Sequence, residues 1–205
     1  MGTRSITVVT GRHTQDDAQK ETIRLYRHWD GSPDVMLSTI ADAIAVAQNV
    51  LARWQGRWRT LHPEVQSVTA KCLADALLAA SLGMHGMSMR LDDKDGTPAL
   101  FRGPPTAQAF GDQCDLEWVY VLDAEARTVH VYGGYGSARK LMKAGPADPT
   151  AYLEAIRDEY KAQVIEAIQS GLGAIRSAGW HVNPVPKRTK RLFLLGGDAG
   201  PRQAS

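Results

Sequence analysis

The chain has 205 residues, of which 43% are hydrophobic and 22% charged, a composition typical of a folded protein and unlike that of a disordered one. Its 24 basic and 22 acidic residues give a formal net charge of +2, so no global field favours nucleic acid or a membrane surface, and such a role would need a local patch. This length predicts a single domain over residues 1–195, followed by a flexible tail over residues 196–205.

Two runs rich in β-branched and aromatic residues open the sequence and predict two strands. The first covers residues 2–10, the second begins at Thr22, and a polar stretch over residues 11–20 separates them. Because the chain start belongs to the predicted sheet, we expect a tag or truncation there to be harmful.

Two helices are predicted to follow these strands. Ser32 and Pro33 suit the start of a helix, and Pro63 and Gly83 bracket the next one. In the first helix, three-four spacing places six apolar residues on one face: Leu37, Ile40, Ile44, Ala47, Leu51 and Trp54. In the second, the shared face is expected to contain Val65, Val68, Cys72, Ala76 and Ala79.

The middle of the chain predicts a long irregular connection over residues 83–111, with one short strand, and then a hairpin. Its strands are expected over residues 116–122 and 127–132, with a turn around Asp123. The first hairpin strand is apolar on both faces, which indicates a central position in the sheet.

A third helix is predicted to begin at Asp148 and Pro149 and to continue until Gly171 and Gly173 interrupt it. Its stripe consists of Leu153, Ile156, Tyr160, Val164 and Ile168. A last apolar run at residues 192–195 suits one more strand. The predicted fold class is therefore α+β, with a mainly antiparallel sheet packed against about three helices.

Several site types are not expected from this sequence. Cys72 and Cys114 lie in unrelated surroundings, so two free thiols are favoured over a disulfide. The six histidines lack metal-ligand spacing, and neither a metal nor a cofactor is expected. Without an evident membrane-spanning or secretory segment, we expect a cytoplasmic protein, in the host cytoplasm if a phage encodes it.

The strongest candidate for a ligand site is the segment that ends the second strand and leads into the first helix. Side chains and helix N–H groups converge at such a junction, so the candidate ligand-binding residues are Arg4, Arg24, Arg27, His28 and Asp30. The structural alternative is that Asp30 and Gly31 form an ordinary turn while the arginines are solvated.

A second candidate is the glycine-rich segment over residues 133–137, which precedes Arg139 and Lys140. It suits a backbone cradle for an anion, although glycines that leave a hairpin strand more often form a turn or bulge.

Cations interleaved with indoles near Trp54 suggest a nucleic-acid surface. That surface would use Arg57, Arg59, Lys187, Arg188, Lys190 and Arg191. The alternative is that Trp54 belongs to the core and that the basic residues are solvated.

No catalytic motif is apparent, so catalysis would need a site assembled by folding. His28, Asp30 and His130 form the most natural trio, because both strand regions are predicted to lie in one sheet.

The start of the chain, Met1-Gly2-Thr3-Arg4-Ser5, together with Tyr26-Arg27-His28-Trp29-Asp30-Gly31-Ser32-Pro33, resembles a group of uncharacterised phage and bacterial proteins. Members of that group begin with M-G-T-R-S and carry Y-R-x-x-D-G-x-P, and Ser32 stands here where an aromatic residue is common. The resemblance implies a phage or prophage setting; it implies no activity and no catalytic residue.

The sequence thus favours an accessory protein that binds a protein partner or a small anionic ligand. One alternative is an enzyme acting on a nucleotide or another phosphate compound through Arg4, Arg27, His28 and Asp30. The other is a nucleic-acid-binding protein. Convergence of those four side chains in one pocket would favour the enzyme, and dispersal would favour the binding protein. The oligomeric state is left open.

Overall fold

A computed structural model of the full chain describes residues 3–12, 20–27, 30–58, 67–81, 101–102 and 116–183. Of Lys20, Glu21, Trp58, Phe101 and Arg102, it describes the backbone only. His28, Arg59, Cys114, the basic residues 187–191 and the predicted last strand and tail lie outside the described residues.

Within these ranges the chain forms one sheet with strands in the order β3-β2-β1-β4-β5-β6. The strands are β1 (Ser5–Arg12), β2 (Lys20–Arg27), β3 (Phe101–Arg102), β4 (Leu116–Asp123), β5 (Thr128–Gly136) and β6 (His181–Val182). The helices are α1 (Pro33–Trp58), α2 (Ala70–Ser81), α3 (Ala138–Ala144) and α4 (Asp158–Ser177), with a 3-10 helix over Pro149–Ala155.

The mixture of α and β structure agrees with the prediction, but the expectation of a mainly antiparallel sheet is wrong. β1 pairs with β2 in antiparallel orientation and with β4 in parallel orientation, and β5 and β6 are also parallel. The parallel β1–β4 pair joins strands more than 100 residues apart, and a local sequence pattern carries no signal for such a pairing.

The hairpin is confirmed: β4 and β5 pair in antiparallel orientation, and β4 lies between β1 and β5. Asp123 holds the turn, because its Oδ1 accepts hydrogen bonds from the N–H groups of Glu125 and Ala126. A bulge between Leu116 and Trp118 sends Leu116 to the opposite side of the sheet from Trp118, Tyr120 and Leu122.

The sheet separates two apolar clusters, because side chains alternate between its faces. On one face, Val9, Leu25 and Tyr120 pack with α1, α2 and α4 in the larger cluster. On the other face, Ile6 and Val119 pack with Leu141 of α3. The 3-10 helix and α4 occupy the region after Asp148 where one helix was expected, and α3 precedes it at Ala138–Ala144, where no helix was expected, so the predicted helix count is wrong.

The helix α1 confirms the predicted stripe. Leu37, Ile40, Ile44 and Ala47 are fully buried, and Leu51 and Trp54 are partly buried. Contrary to the expectation from the sequence, Pro33–Arg57 is long and apolar enough to cross a membrane. That observation is weak, because the buried helix of a globular core meets the same criterion, and this helix packs on the sheet, α2 and α4.

The two glycines expected to interrupt the last long helix lie inside it, since α4 runs from Asp158 to Ser177. Gly171 permits close packing of α4 on α1: a Cβ atom there would lie 2.7 Å from Leu37 Cβ and 2.9 Å from the backbone nitrogen of Ser38. The break in the predicted helix falls earlier, at Ile156 and Arg157, where the backbone is extended.

Candidate functional site

At the end of the sheet where β1 begins and β2 ends, the start of the chain meets the segment that follows β2. Register places Arg27 of β2 beside Ser5 of β1, Ser5 beside Trp118 of β4, and Trp118 beside Gly133 of β5. The chain then passes from Asp30 through Gly31 into α1, and Gly31 is hydrogen-bonded to Thr3 at this end of the sheet. We call the group formed by Ser5, Arg27, Gly31, Asp34, Tyr120 and Tyr152 the strand-end cluster.

Within this cluster, Gly31 lies closer to Thr3 and Ser5 than a residue with a side chain could. Its N–H donates to the carbonyl oxygen of Thr3 at 2.9 Å, and a Cβ atom on it would lie 2.6 Å from Ser5 Oγ. The preceding residue, Asp30, has a φ of 54°, a conformation that aspartate tolerates better than most residues. The tight turn therefore locks the start of the chain against the start of α1.

Arg27 is buried beneath this turn, with 3% of its surface exposed. Its Nη1 donates to the carbonyl oxygen of Asp30 at 3.0 Å and contacts Met36 Sδ. Burial lowers the pKa of Arg27, while the neighbouring charge of Asp30 raises it. The guanidinium thus holds the β2–α1 connection in place.

Two tyrosine hydroxyls complete the cluster. Tyr120 is fully buried and donates to the carbonyl oxygen of Gly31 at 3.0 Å. Burial, followed by the nearby carboxylate of Asp34, raises the pKa of Tyr120 well above its ordinary value. Tyr152, in the 3-10 helix, also has a raised pKa, mainly because of burial, and its hydroxyl hydrogen-bonds with Ser32 and Thr3. Both hydroxyls therefore stay protonated at neutral pH.

Two buried oxygens of the cluster have no hydrogen-bond partner, namely Ser5 Oγ and Asp34 Oδ1. Ser5 is fully buried, whereas Asp34, in the first turn of α1, is partly exposed. Nearly all buried polar atoms in folded proteins are hydrogen-bonded, and leaving one unsatisfied costs about 1–3 kcal/mol. Leaving these two atoms without a partner is therefore costly for the fold.

The structure brings part of the sequence-suggested set to one end of the sheet, where Arg27 contacts the backbone of Asp30 and Arg4 precedes Ser5. Arg27 points inward, whereas Arg4 and Asp30 are exposed. Arg24 is partly buried on the other face of the sheet, because it alternates with Ile23 and Leu25 of the larger cluster. His28 lies outside the described residues.

His130 is also separate from the strand-end cluster. It lies near the start of β5, in register with Val121, whereas Asp30 follows the C-terminal end of β2. Burial lowers the pKa of His130, and its buried Nδ1 has no hydrogen-bond partner. Asp30 and His130, two members of the trio suggested by the sequence, are therefore not neighbours.

The glycine-rich segment over residues 133–137 ends β5 and leads into α3. Gly133 packs against the Trp118 ring, and a Cβ atom on it would lie 2.6 Å from Trp118 Cζ3. Ser137 caps α3 by accepting a hydrogen bond from the Lys140 N–H. Close packing therefore explains Gly133, and capping of α3 explains Ser137.

Of the basic residues suggested for nucleic acid, Arg57 is exposed in the last turn of α1. Arg59, Lys187, Arg188, Lys190 and Arg191 lie outside the described residues. Among the residues that the structure does describe, no group of three histidine, cysteine or acidic side chains could hold a metal ion.

Sequence reasoning missed Asp34, Tyr120 and Tyr152 as site residues. Tyr120 reads as an ordinary core position, since it alternates with Trp118 and Leu122. The available signal was that Ser5 and Gly31 lie in two segments that the sequence analysis singled out, residues 1–5 and 26–33, and these segments contact each other. No protein-family model, curated protein or solved structure matches the chain.

Proposed function

We propose that this protein is a phage-associated or bacterial accessory protein that acts by binding, and that the strand-end cluster binds a small polar ligand. The observation that carries the proposal is the fully buried Ser5 Oγ, which has no partner and lies against the backbone of Gly31. A ligand that satisfies this atom and Asp34 Oδ1 would offset their cost. The phage or bacterial setting rests on the resemblance carried by residues 1–5 and 26–33.

Binding is favoured over catalysis because, of the described charged residues suggested by the sequence, only Arg27 is buried in the cluster. Arg27 is used in holding the β2–α1 connection, and Arg4 and Asp30 are exposed. An enzyme acting on a phosphate compound would need several of these groups in one pocket. The two buried atoms of the strand-end cluster that lack a partner are oxygens, which suits recognition by hydrogen bonding.

A thermal-shift screen tests this proposal, because a ligand that prefers the native state raises the melting temperature. The library should contain nucleotides, nucleosides, amino acids, amines, sugar phosphates and short oligonucleotides. We expect at least one compound to stabilise the wild-type protein and to lose this effect in Ser5→Ala. The matched control is Ser81→Ala, which changes a buried serine at the end of α2. A library without any hit, or a hit unaffected by Ser5→Ala, would overturn the proposal.

A further inference from the structure

We infer that the ligand presents a protonated amine to the strand-end cluster, with Asp34 as its counter-ion and Ser5 as a hydrogen-bond acceptor. This inference rests on the proposed function and specifies the ligand's chemistry. It replaces the anionic ligand suggested by the sequence with a cationic one.

The first argument is the hydrogen-bonding character of the atoms that have no partner. An ionised carboxylate only accepts hydrogen bonds, and a serine hydroxyl has two acceptor lone pairs. Asp34 Oδ1 and Ser5 Oγ are both buried without a partner. An ammonium group offers three donors and no acceptor, so it complements both atoms.

The second argument is the balance of charge. The charge of Asp34 raises the pKa of both Tyr120 and Tyr152, and the charge of Glu117 also raises the pKa of Tyr152. The carboxylates therefore act on both hydroxyls from α1 and on the Tyr152 hydroxyl alone from β4, while the Arg27 guanidinium opposes Asp34 only at Tyr120. The buried Oδ1 of the partly exposed Asp34 lacks a hydrogen-bond donor, and a cationic ligand would supply one.

The third argument concerns the cation already present. The Arg27 guanidinium donates to the Asp30 carbonyl and lies against Met36, so it is held beneath the turn. The carbonyl oxygens of Asp30 and Gly31 accept hydrogen bonds from Arg27 and Tyr120. A start of a helix ordinarily attracts anions, but here the first turn of α1 already carries the carboxylate of Asp34. An anion would meet that carboxylate.

The route to the cluster follows from the exposure of its members. Ser5 and Tyr120 are fully buried, whereas Asp34 and Tyr152 are partly exposed. Asp34 and Tyr152 therefore mark the side from which the amine arrives. The charged head of the ligand would be directed toward Ser5, and the rest of the ligand would extend past Tyr152.

Calorimetric titration of the full-length protein at neutral pH tests the inference. The probes are methylammonium, putrescine and agmatine, with 1,4-butanediol as the uncharged counterpart of putrescine and inorganic phosphate and AMP as anions. We expect at least one amine to bind and butanediol not to bind. Asp34→Asn and Ser5→Ala should each weaken amine binding by tenfold or more.

The matched control is Asp158→Asn, because Asp158 is an exposed acid in the first turn of α4 and its loss should leave amine binding unchanged. Amine binding that is unaltered in both cluster variants, or the failure of all three amines to bind, would overturn the inference. Binding of phosphate or AMP that depends on Ser5 would overturn the amine while supporting the proposed function. Failure of every compound in the wider library would overturn both.

Discussion

Gly31 carries the contact between the chain start and α1, and its lack of a side chain is what permits the contact. A Cβ atom at this position would lie 2.6 Å from Ser5 Oγ and 2.7 Å from the carbonyl oxygen of Thr3. We predict that Gly31→Ala lowers the free energy of unfolding by about 1–3 kcal/mol, because crowding of a packed site forces the backbone to shift. Denaturant titration measures this loss.

The matched control is Gly56→Ala in α1, where a Cβ atom would meet nothing within 4 Å. That change should stabilise the protein by up to about 1 kcal/mol, since alanine is the better helix former. Equal effects of the two substitutions would contradict the close approach at Gly31.

The raised pKa of Tyr120 makes the stability of the protein depend on pH in the alkaline range. Its pKa is raised in the folded state by burial, so the folded protein keeps the phenolic proton at a pH where the unfolded chain loses it. The associated stability is fully present below about pH 10, the ordinary pKa of tyrosine, and is lost as pH rises from there toward the folded-state pKa.

We predict that the free energy of unfolding falls as the pH rises above about 10, and that Tyr120→Phe makes this fall shallower. At neutral pH, Tyr120→Phe should cost about 1–2 kcal/mol, because the Gly31 carbonyl loses its donor. Denaturant titrations across this range measure both effects. An unchanged alkaline slope in Tyr120→Phe would show that other groups control it.

At the scale of elements, the packing of α4 on α1 depends on Gly171. A Cβ atom there would lie 2.9 Å from the backbone of both Leu37 and Ser38, which cannot move as a side-chain tip can. We predict that Gly171→Ala destabilises the protein by about 1–3 kcal/mol. Gly173→Ala, two residues along the same helix and in open space, should be neutral or stabilising by up to about 1 kcal/mol. Unfolding midpoints of the two variants make the comparison, and a neutral Gly171→Ala would refute the close contact.

The elements that the sequence predicted correctly are those with a local signal. The α1 stripe follows three-four spacing after Ser32 and Pro33, and the β4–β5 hairpin follows from alternation around the Asp123 turn. Gly171 was misread as a stop, because a glycine that permits close packing and a glycine that ends a helix look alike in sequence.

The candidate site could be predicted only in its location. The β2–α1 junction was identified from Asp30 and Gly31, whereas the partners in the cluster depend on the nonlocal pairing of β1 with β4. That pairing brings Tyr120 beneath Gly31, and nothing near Tyr120 in the sequence indicates this contact. The inward direction of the Arg27 side chain could not be predicted from the sequence either, because it depends on which face of β2 packs on α1.

For the whole molecule, β1 is the strand that joins the two parts of the sheet. It pairs with β2 on one side and with β4 on the other, so its backbone groups are bonded on both edges. We predict that the amide of Val9 exchanges with solvent only through global unfolding, whereas amides of the two-residue strand β6 exchange through local opening. Native-state hydrogen exchange in increasing denaturant measures this. Exchange of Val9 at a free energy well below that of global unfolding would contradict the central role of β1.

The central claim is that the Ser5 hydroxyl serves a ligand and contributes nothing favourable to the free protein. The most direct measurement is the free energy of unfolding of Ser5→Ala without ligand, beside Thr10→Val on the same strand, whose buried hydroxyl donates to the Leu122 carbonyl at 3.3 Å. The account predicts that Thr10→Val loses about 1 kcal/mol, while Ser5→Ala is unchanged or more stable, because it removes a buried hydroxyl without a partner. A loss of about 1 kcal/mol or more in Ser5→Ala would show that the hydroxyl supports the fold, and would contradict the account.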